Sequence, residues 1–527
     1  MNRVLPLLCL SLAGGAFGAD VRSGQPVAAS SPAEADAWAR QIEGLAAAGR
    51  LTPASSASDA DFPGRRHLRY DQRVAGLRVF GAQLVRQVDA GGRTLTVFGR
   101  VLGDVAIDTA PSLSAEQATR AAVADMGRGA RALDEPELLI LPLEDRTLLA
   151  WTLLARLDFE LSRYFIDAKT GAVALIINEL KTAAAVGTGT GVWGDRKKVS
   201  ADSVGGGFRS DDKLRPPTLT TYDMKFDVGA TDDFLSGGPL SSSFIGADSD
   251  NTWTDGAVVD AHSYAGWTYD YYFKRHGRQG IDGANLAVRS LVHIIPSGPD
   301  GLANAFWYPF TQTMVYGDGD TVFGSFAGAL DVVAHELTHG VTQFTWGGYA
   351  GREAGALNES FSDIMGTSVE FFFEPAGDGR KHADYWLGED LTYTFDPPVF
   401  ATRSMENPSL FCHPGRGCDP DHYSRRYLGP LDGGGVHANA GISNQAFFLL
   451  IEGGTNRTSG IQVSGLGAAN RERAERIFYR GFTSYLTPSA TFADARRATI
   501  RAATDLFGAT SSELAQTAAA WTAVGVH

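Results

Sequence analysis

The run His335-Glu336-Leu337-Thr338-His339 constrains this chain more than any other feature. Residues four apart on an α-helix are separated by about 40° around the axis. A helix here therefore turns both imidazoles the same way, where they can grip one ion. Residues 325–334, rich in Ala, Val and Leu, are good helix material. Neutral imidazole suits zinc. Glu336 is offset from the histidine face but close to the ion's open position, where a base is needed. With 11 histidines in 527 residues the pattern also arises by chance, so its context decides.

A catalytic zinc needs a third protein ligand and an open fourth place. The segment from Gly355 to Asp363 carries Glu359 and Asp363, again four apart on a predicted helix. Glu359 can be the third ligand. Asp363 can accept a hydrogen bond from a ligating histidine and fix its tautomer. The flanking Ala356, Leu357, Phe361, Ile364 and Met365 favour burial, and buried carboxylates need partners.

The formal charge of -14 repels phosphate backbones, so nucleic acid is not an expected partner. Arg3, the apolar Val4 to Ala13 and the small residues through Ala19 read as a secretion signal covering 1–19. That run is too short to span a bilayer, and no later stretch is long and apolar enough, so no membrane anchor is expected. Cys9 leaves with the signal. Cys412 and Cys418 remain, flanking a turn-rich loop; a disulfide is expected, with a small zinc site using His413 or His422 as its rival.

Along the chain, residues 20 to about 60 read as a loosely ordered, Ala- and Ser-rich lead-in. Residues 65–108 and 138–177 alternate as strands, and Ser114 to Gln117 forms a capping box for a helix through Met126. Small residues from Thr182 to Gly191 read as a linker and a plausible processing region. Residues 191–325 mix strands with one helix near 258–276. Helical periodicity dominates from 326, including a helix capped at Thr491 that stops at Gly508.

With these motifs in place the chain resembles the thermolysin-like neutral metallopeptidases. The resemblance covers 187–527. It runs through Asn304-Ala305-Phe306-Trp307, Met314 to Asp320, His335 to His339, Glu359 to Asp363, Arg403-Ser404-Met405, Asp419 to Tyr423 and Asp432 to His437, with terminal helices over 485–526. Residues 60–180 resemble the family's propeptide. The resemblance implies an α+β fold: a propeptide over 20–183, a β-rich N-terminal lobe over 184–333 and a helical C-terminal lobe over 334–527. The implied activity is that of a secreted, monomeric zinc endopeptidase that acts on polypeptides and is held in check, and helped to fold, by its own propeptide.

It also implies roles. His437 would stabilise the oxyanion of the tetrahedral intermediate, and Asp432 would orient it. The family's second oxyanion donor, a tyrosine, falls here on Ala350; Tyr349 stands one place early and reads equally as that donor or as a packing residue. Arg403 would bind a substrate carbonyl, with a surface ion pair as the plain alternative. Asn304 and Ala305 would hold the peptide as an added strand. Phe323, Phe326, Val332, Leu387 and Leu391 would form an apolar pocket for the residue after the cut bond. Asp331, Glu370, Asp384 and Glu389 would bind calcium. Trp386 stands where some relatives have a further acidic ligand, so one calcium is expected rather than two. A zinc exopeptidase and a non-catalytic adhesion protein on the same scaffold are the competing readings.

Overall fold

A computed structural model describes residues 25–29, 31–59, 62–103, 105–144, 146–157, 160–180, 182–295, 302–348, 351–392 and 401–527. The expected signal segment, with Cys9, and Tyr349 lie outside the described residues. The chain divides into two compact units, Met1–Lys181 and Thr182–His527. Among the described residues no helix is long and apolar enough to cross a membrane.

The first unit is built on a ten-stranded, largely antiparallel sheet. Among the described residues its one parallel pairing sets Leu77–Val88 beside Glu137–Pro142. Two helices cover apolar strand positions. Ile42 of Pro32–Ala47 packs with Leu84 and Val97, while Ala118 and Ala122 of Ala115–Met126 pack with Leu153 and Ile166. The first of these helices corrects the expected loose lead-in. Ser31 and Glu34 form a reciprocal capping box, and a proline opens the first turn.

The second unit begins with the other correction. The expected linker is a strand, Thr182–Thr190, paired along its length with Arg196–Val204 and at its end with Thr252–Trp253. A second five-stranded sheet ends in Ala305–Tyr308, which among the described residues pairs with Thr313–Tyr316 alone. Gly256–His276, capped by Asp255 and ended by Gly277 in the left-handed conformation, packs against these sheets and the helices that follow.

Beyond these sheets the unit is mainly helical. Leu330–Gln343 carries Leu330, Val333, Ala334, Leu337 and Val341 on its buried face. It lies against Arg352–Phe373, and the approach depends on Gly366. A Cβ there would stand 2.6 Å from the Asp331 carbonyl oxygen and 3.4 Å from the His335 nitrogen. Asp432–Glu452 packs on the other side of Arg352–Phe373, and its first residues are not helical: Gly433, Gly434 and Gly435 all have positive φ. One apolar core runs from Tyr264 and Trp307 through Leu337 and Phe361 to Phe478 and Trp521, so strands and helices of this unit share a single interior.

Candidate active site

His335 and His339 project from successive turns of Leu330–Gln343, and their Nε2 atoms are 3.1 Å apart. Glu359, from Arg352–Phe373, places Oε2 at 3.4 Å from the His335 Nε2 and Oε1 at 3.8 Å from the His339 Nε2. Two ligands on a tetrahedral zinc with bonds of about 2.0–2.1 Å stand about 3.3–3.4 Å apart. The three separations bracket that figure, and the donor set of two imidazoles and a carboxylate is one zinc accepts. Glu359 Oε2 is buried and lies 3.4 Å from each of the His335 and His437 Nε2 atoms.

The surroundings orient these groups and favour positive charge. Asp363 Oδ1 lies 2.8 Å from the His335 Nδ1. The same carboxylate accepts two bonds from Arg403, at 2.9 and 2.7 Å, and one from Asn444 at 2.8 Å. Burial alone would raise the Asp363 carboxyl, but the Arg403 and His335 charges hold it down to about 2. Burial would lower the His335 imidazole, yet hydrogen bonds to Asp363 and Glu359 lift it to about 10. Burial likewise opposes ionisation of Glu359, and the neighbouring imidazoles of His339, His335 and His437 overcome it, leaving the carboxyl well below its ordinary range. His339 Nδ1 faces Asn358 Oδ1 and Ser362 Oγ, each at 3.2 Å.

Glu336 turns into a cleft of about 380 Å³ that Asn304, Ala305, Phe326, Val332, Leu387, Leu391, Arg403 and His437 also line. Its Oε2 accepts the backbone N–H of Trp307 at 3.1 Å and lies 3.9 Å from the His339 Nε2. His437 stands opposite, 46% exposed, with Nε2 3.4 Å from Glu359 Oε2. Its Nδ1 is 2.5 Å from Asp432 Oδ1. Burial works against its protonation, while the bond to Asp432 and the charge of Glu359 raise it above the ordinary imidazole range. Ala305 and Trp307 lie on the unpaired edge of their sheet, and backbone groups alternate sides along a strand. The Trp307 N–H is turned to the cleft, and Ala305 shares its direction.

Of the expected pocket residues, Phe326, Val332, Leu387 and Leu391 line the cleft, whereas Phe323 stands behind them with its ring 5.9 Å from that of Phe326. Arg403 is no surface ion pair. It is largely buried against Asp363 and lines the cleft at the same time. Asn444 and the Trp307 N–H were not anticipated from sequence.

Comparison with known proteins places the chain in a family. A model described as thermolysin metallopeptidase, catalytic domain, matches residues 186–343, and one described as thermolysin metallopeptidase, alpha-helical domain, matches 349–526. The fungalysin/thermolysin propeptide motif matches 50–101. A bacillolysin of Brevibacillus brevis is 39% identical over 475 residues, covering 88% of this chain and 82% of the relative. A thermolysin of Alicyclobacillus acidocaldarius subsp. acidocaldarius is 37% identical over 494 residues, covering 88% and 84%. The chain belongs to the thermolysin family. Among solved structures, the precursor of protealysin, a metalloproteinase from Serratia proteamaculans, is 31% identical over 59% of this chain and 87% of its own, with a TM-score of 0.47.

As a member of the thermolysin family the protein is a zinc-dependent endopeptidase of polypeptides, with a two-lobed α+β catalytic region and a propeptide of its own. The exopeptidase and adhesion readings are not favoured. The Cys412–Cys418 disulfide is formed, across a short hairpin, in place of a small zinc site.

A second cluster of this thermolysin-family chain is made of carboxylates alone. Glu370, Glu389 and Asp390 converge and are all buried. Both oxygens of Glu370, both of Glu389 and Oδ1 of Asp390 have no hydrogen-bond partner. Burial and mutual repulsion push the Glu370 and Glu389 carboxyls well above their ordinary range. Asp331 and Asp384, expected in this set, stand outside the tightest group. Asp331 accepts the Gly388 N–H, and Asp384 accepts the Trp386 N–H, each at 2.6 Å. Asp390 was missed. It follows Glu389 in a one-turn helix, and nothing in the local pattern separates it from a solvated neighbour.

Proposed function

We propose that the cleft hydrolyses internal peptide bonds with His335, His339 and Glu359 as zinc ligands, Glu336 as general base and His437 as oxyanion donor. The meeting of these five side chains at one point of the cleft carries the reading. Zinc bound there supplies Lewis acidity that brings a water's pKa toward neutrality.

The chain's own groups do the rest. Glu336, held by the Trp307 N–H, takes the proton of the attacking water and passes it to the departing amine. His437, oriented through Nδ1 by Asp432, offers Nε2 to the negative charge that grows on the scissile carbonyl oxygen. The edge strand at Asn304 and Ala305 pairs with the substrate backbone, which presents the bond to the base. Arg403, with two of its five donors spent on Asp363, binds a substrate carbonyl with another. Phe326, Val332, Leu387 and Leu391 select a large apolar side chain after the cut bond. Tyr349 remains a candidate second oxyanion donor.

Calcium is the ion for the carboxylate cluster. Hard oxygens without hydrogen atoms to share suit it, and Asp331 and Asp384 complete the acidic shell around Glu370, Glu389 and Asp390. A single calcium fits, since Trp386 adds no ligand. The reading extends to the whole chain: residues 1–19 direct export, 20–183 restrain and assist the folding of the catalytic lobes 184–333 and 334–527, and the mature enzyme is a secreted monomer. Metal analysis and N-terminal sequencing of the secreted product, with digestion of a peptide library, test it. A product without zinc, or one that trims only free termini, overturns it.

A further inference from the structure

Asp432 orients His437 from a turn that the Gly434 and Gly435 N–H groups close on the Leu431 carbonyl, each at 3.0 Å, and those bonds do not reach the carboxylate. Asp432 has φ 56°, and Gly433, Gly434 and Gly435 follow at 59°, 94° and 84°. Consecutive glycines leave a segment wide conformational freedom. Arg416 holds the carboxylate from outside the turn, beside the His437 and Ala438 backbone N–H groups. Its Nη1 donates to Asp432 Oδ2 at 2.6 Å. That oxygen also receives the His437 backbone N–H at 3.0 Å, while Oδ1 takes the ring. Arg416 Nη2 lies 3.6 Å from the buried Asp419 Oδ1, so the guanidinium is held between two carboxylates.

Arg416 belongs to the hairpin that the disulfide closes. Cys412 faces Cys418, His413 faces Gly417, and the Arg416 N–H bonds the His413 carbonyl at 3.2 Å. Gly415 and Gly417 within this loop both have positive φ. The cross-link removes conformations that such a loop would otherwise visit. We propose that Arg416 is a positioning residue for His437, and that the Cys412–Cys418 bond acts on catalysis by presenting Arg416 to Asp432. The inference rests on His437 as oxyanion donor. Releasing Asp432 lets the imidazole wander, which weakens an interaction made in the transition state while leaving substrate binding intact.

The test uses the mature zinc-loaded enzyme and an internally quenched peptide. Arg416→Met is expected to lower kcat about tenfold with KM within about twofold and zinc content unchanged. Arg416→Lys recovers most of the loss. The Cys412→Ser/Cys418→Ser variant loses kcat in the same direction, and adding it to Arg416→Met costs nothing more, because both changes act through one contact. A wild-type kcat for Arg416→Met, a loss confined to KM, no recovery with lysine, or full additivity overturns the proposal. Should Arg416→Met not fold, a wild-type kcat for the cysteine variant overturns it equally. His437→Ala separates the two readings. If it keeps full kcat, the oxyanion role fails and this inference with it; if it loses kcat while Arg416→Met does not, only this inference fails.

Discussion

Glu359 and Glu370 stand on one helix, eleven residues or about 16 Å apart, and each belongs to a cluster able to hold a cation. The two clusters solve different problems. Around Glu359 the donors are two imidazoles and one carboxylate, the first contacts are backed by Asp363, Asn444 and Arg403, and one side opens into the cleft. Around Glu370 the donors are all carboxylates, every oxygen but the Asp390 Oδ2 beside Lys381 lacks a hydrogen-bond partner, and the group is fully buried. The first keeps its own charges nearly balanced and spends the ion on chemistry. The second is repulsive without an ion, so an ion there stabilises the fold and does nothing to the substrate.

That contrast can be broken at four points, from the largest effect down. Glu336→Ala should lower kcat by about a thousandfold, within the usual range for a general base, with zinc content unchanged by metal analysis. Retained hydrolysis would end the mechanism. Asp363→Ala should weaken zinc binding about 10- to 100-fold and also cost about 3–5 kcal/mol of stability, because Arg403 is left buried without its partner. Competition with a chromophoric chelator and denaturant melts read the two losses separately; loss of neither would remove Asp363 from the site.

At the other cluster, calcium removal should lower Tm while leaving initial kcat unchanged at a temperature where the enzyme stays folded. An ion at a hundredfold excess over its Kd contributes about 2.7 kcal/mol. Glu389→Gln should abolish that calcium dependence. A calcium-free sample with unchanged Tm would erase the contrast. The smallest effect lies at a third cluster, which serves as the control. His293 sits between Asp255 and Asp318, each at 3.0 Å. Burial lowers its pKa, but the two carboxylates raise it from 6.5 to about 10. Its stabilising contribution is therefore complete below pH 6.5 and fades as pH rises toward 10. Here a proton plays the cation's part. His293→Gln should flatten the fall of Tm across that window and be indifferent to calcium.

The candidate zinc site was legible because its signal is local. Two histidines four apart on an amphipathic helix and a second acidic pair on the next need only helical geometry to converge. Asn444 and the Trp307 N–H were not legible, since they reach Asp363 and Glu336 from 81 and 29 residues away with no periodic signature. The carboxylate cluster was half legible: Glu370 and Glu389 belong to it, whereas Asp390 depends on how a single short turn is aimed. Composition misled at Thr182–Thr190, where small residues suggested flexibility. A Cβ at Gly189 would sit 2.5 Å from Val259 Cγ2, so smallness there serves close packing of the strand against the helix Gly256–His276. It misled again at residues 31–47, where alanines hid a capped helix.

The gap left at Gly366 reaches further than its size suggests. Two helices bring the histidine pair and Glu359 together, and a hydrogen atom where any other residue has carbon lets them touch backbone to backbone. The bite of the ligand set is thus governed from behind, by a position that meets neither ion nor peptide. A single methyl inserted there would wedge the two helices apart beside His335 and change the separation of the imidazoles from Glu359.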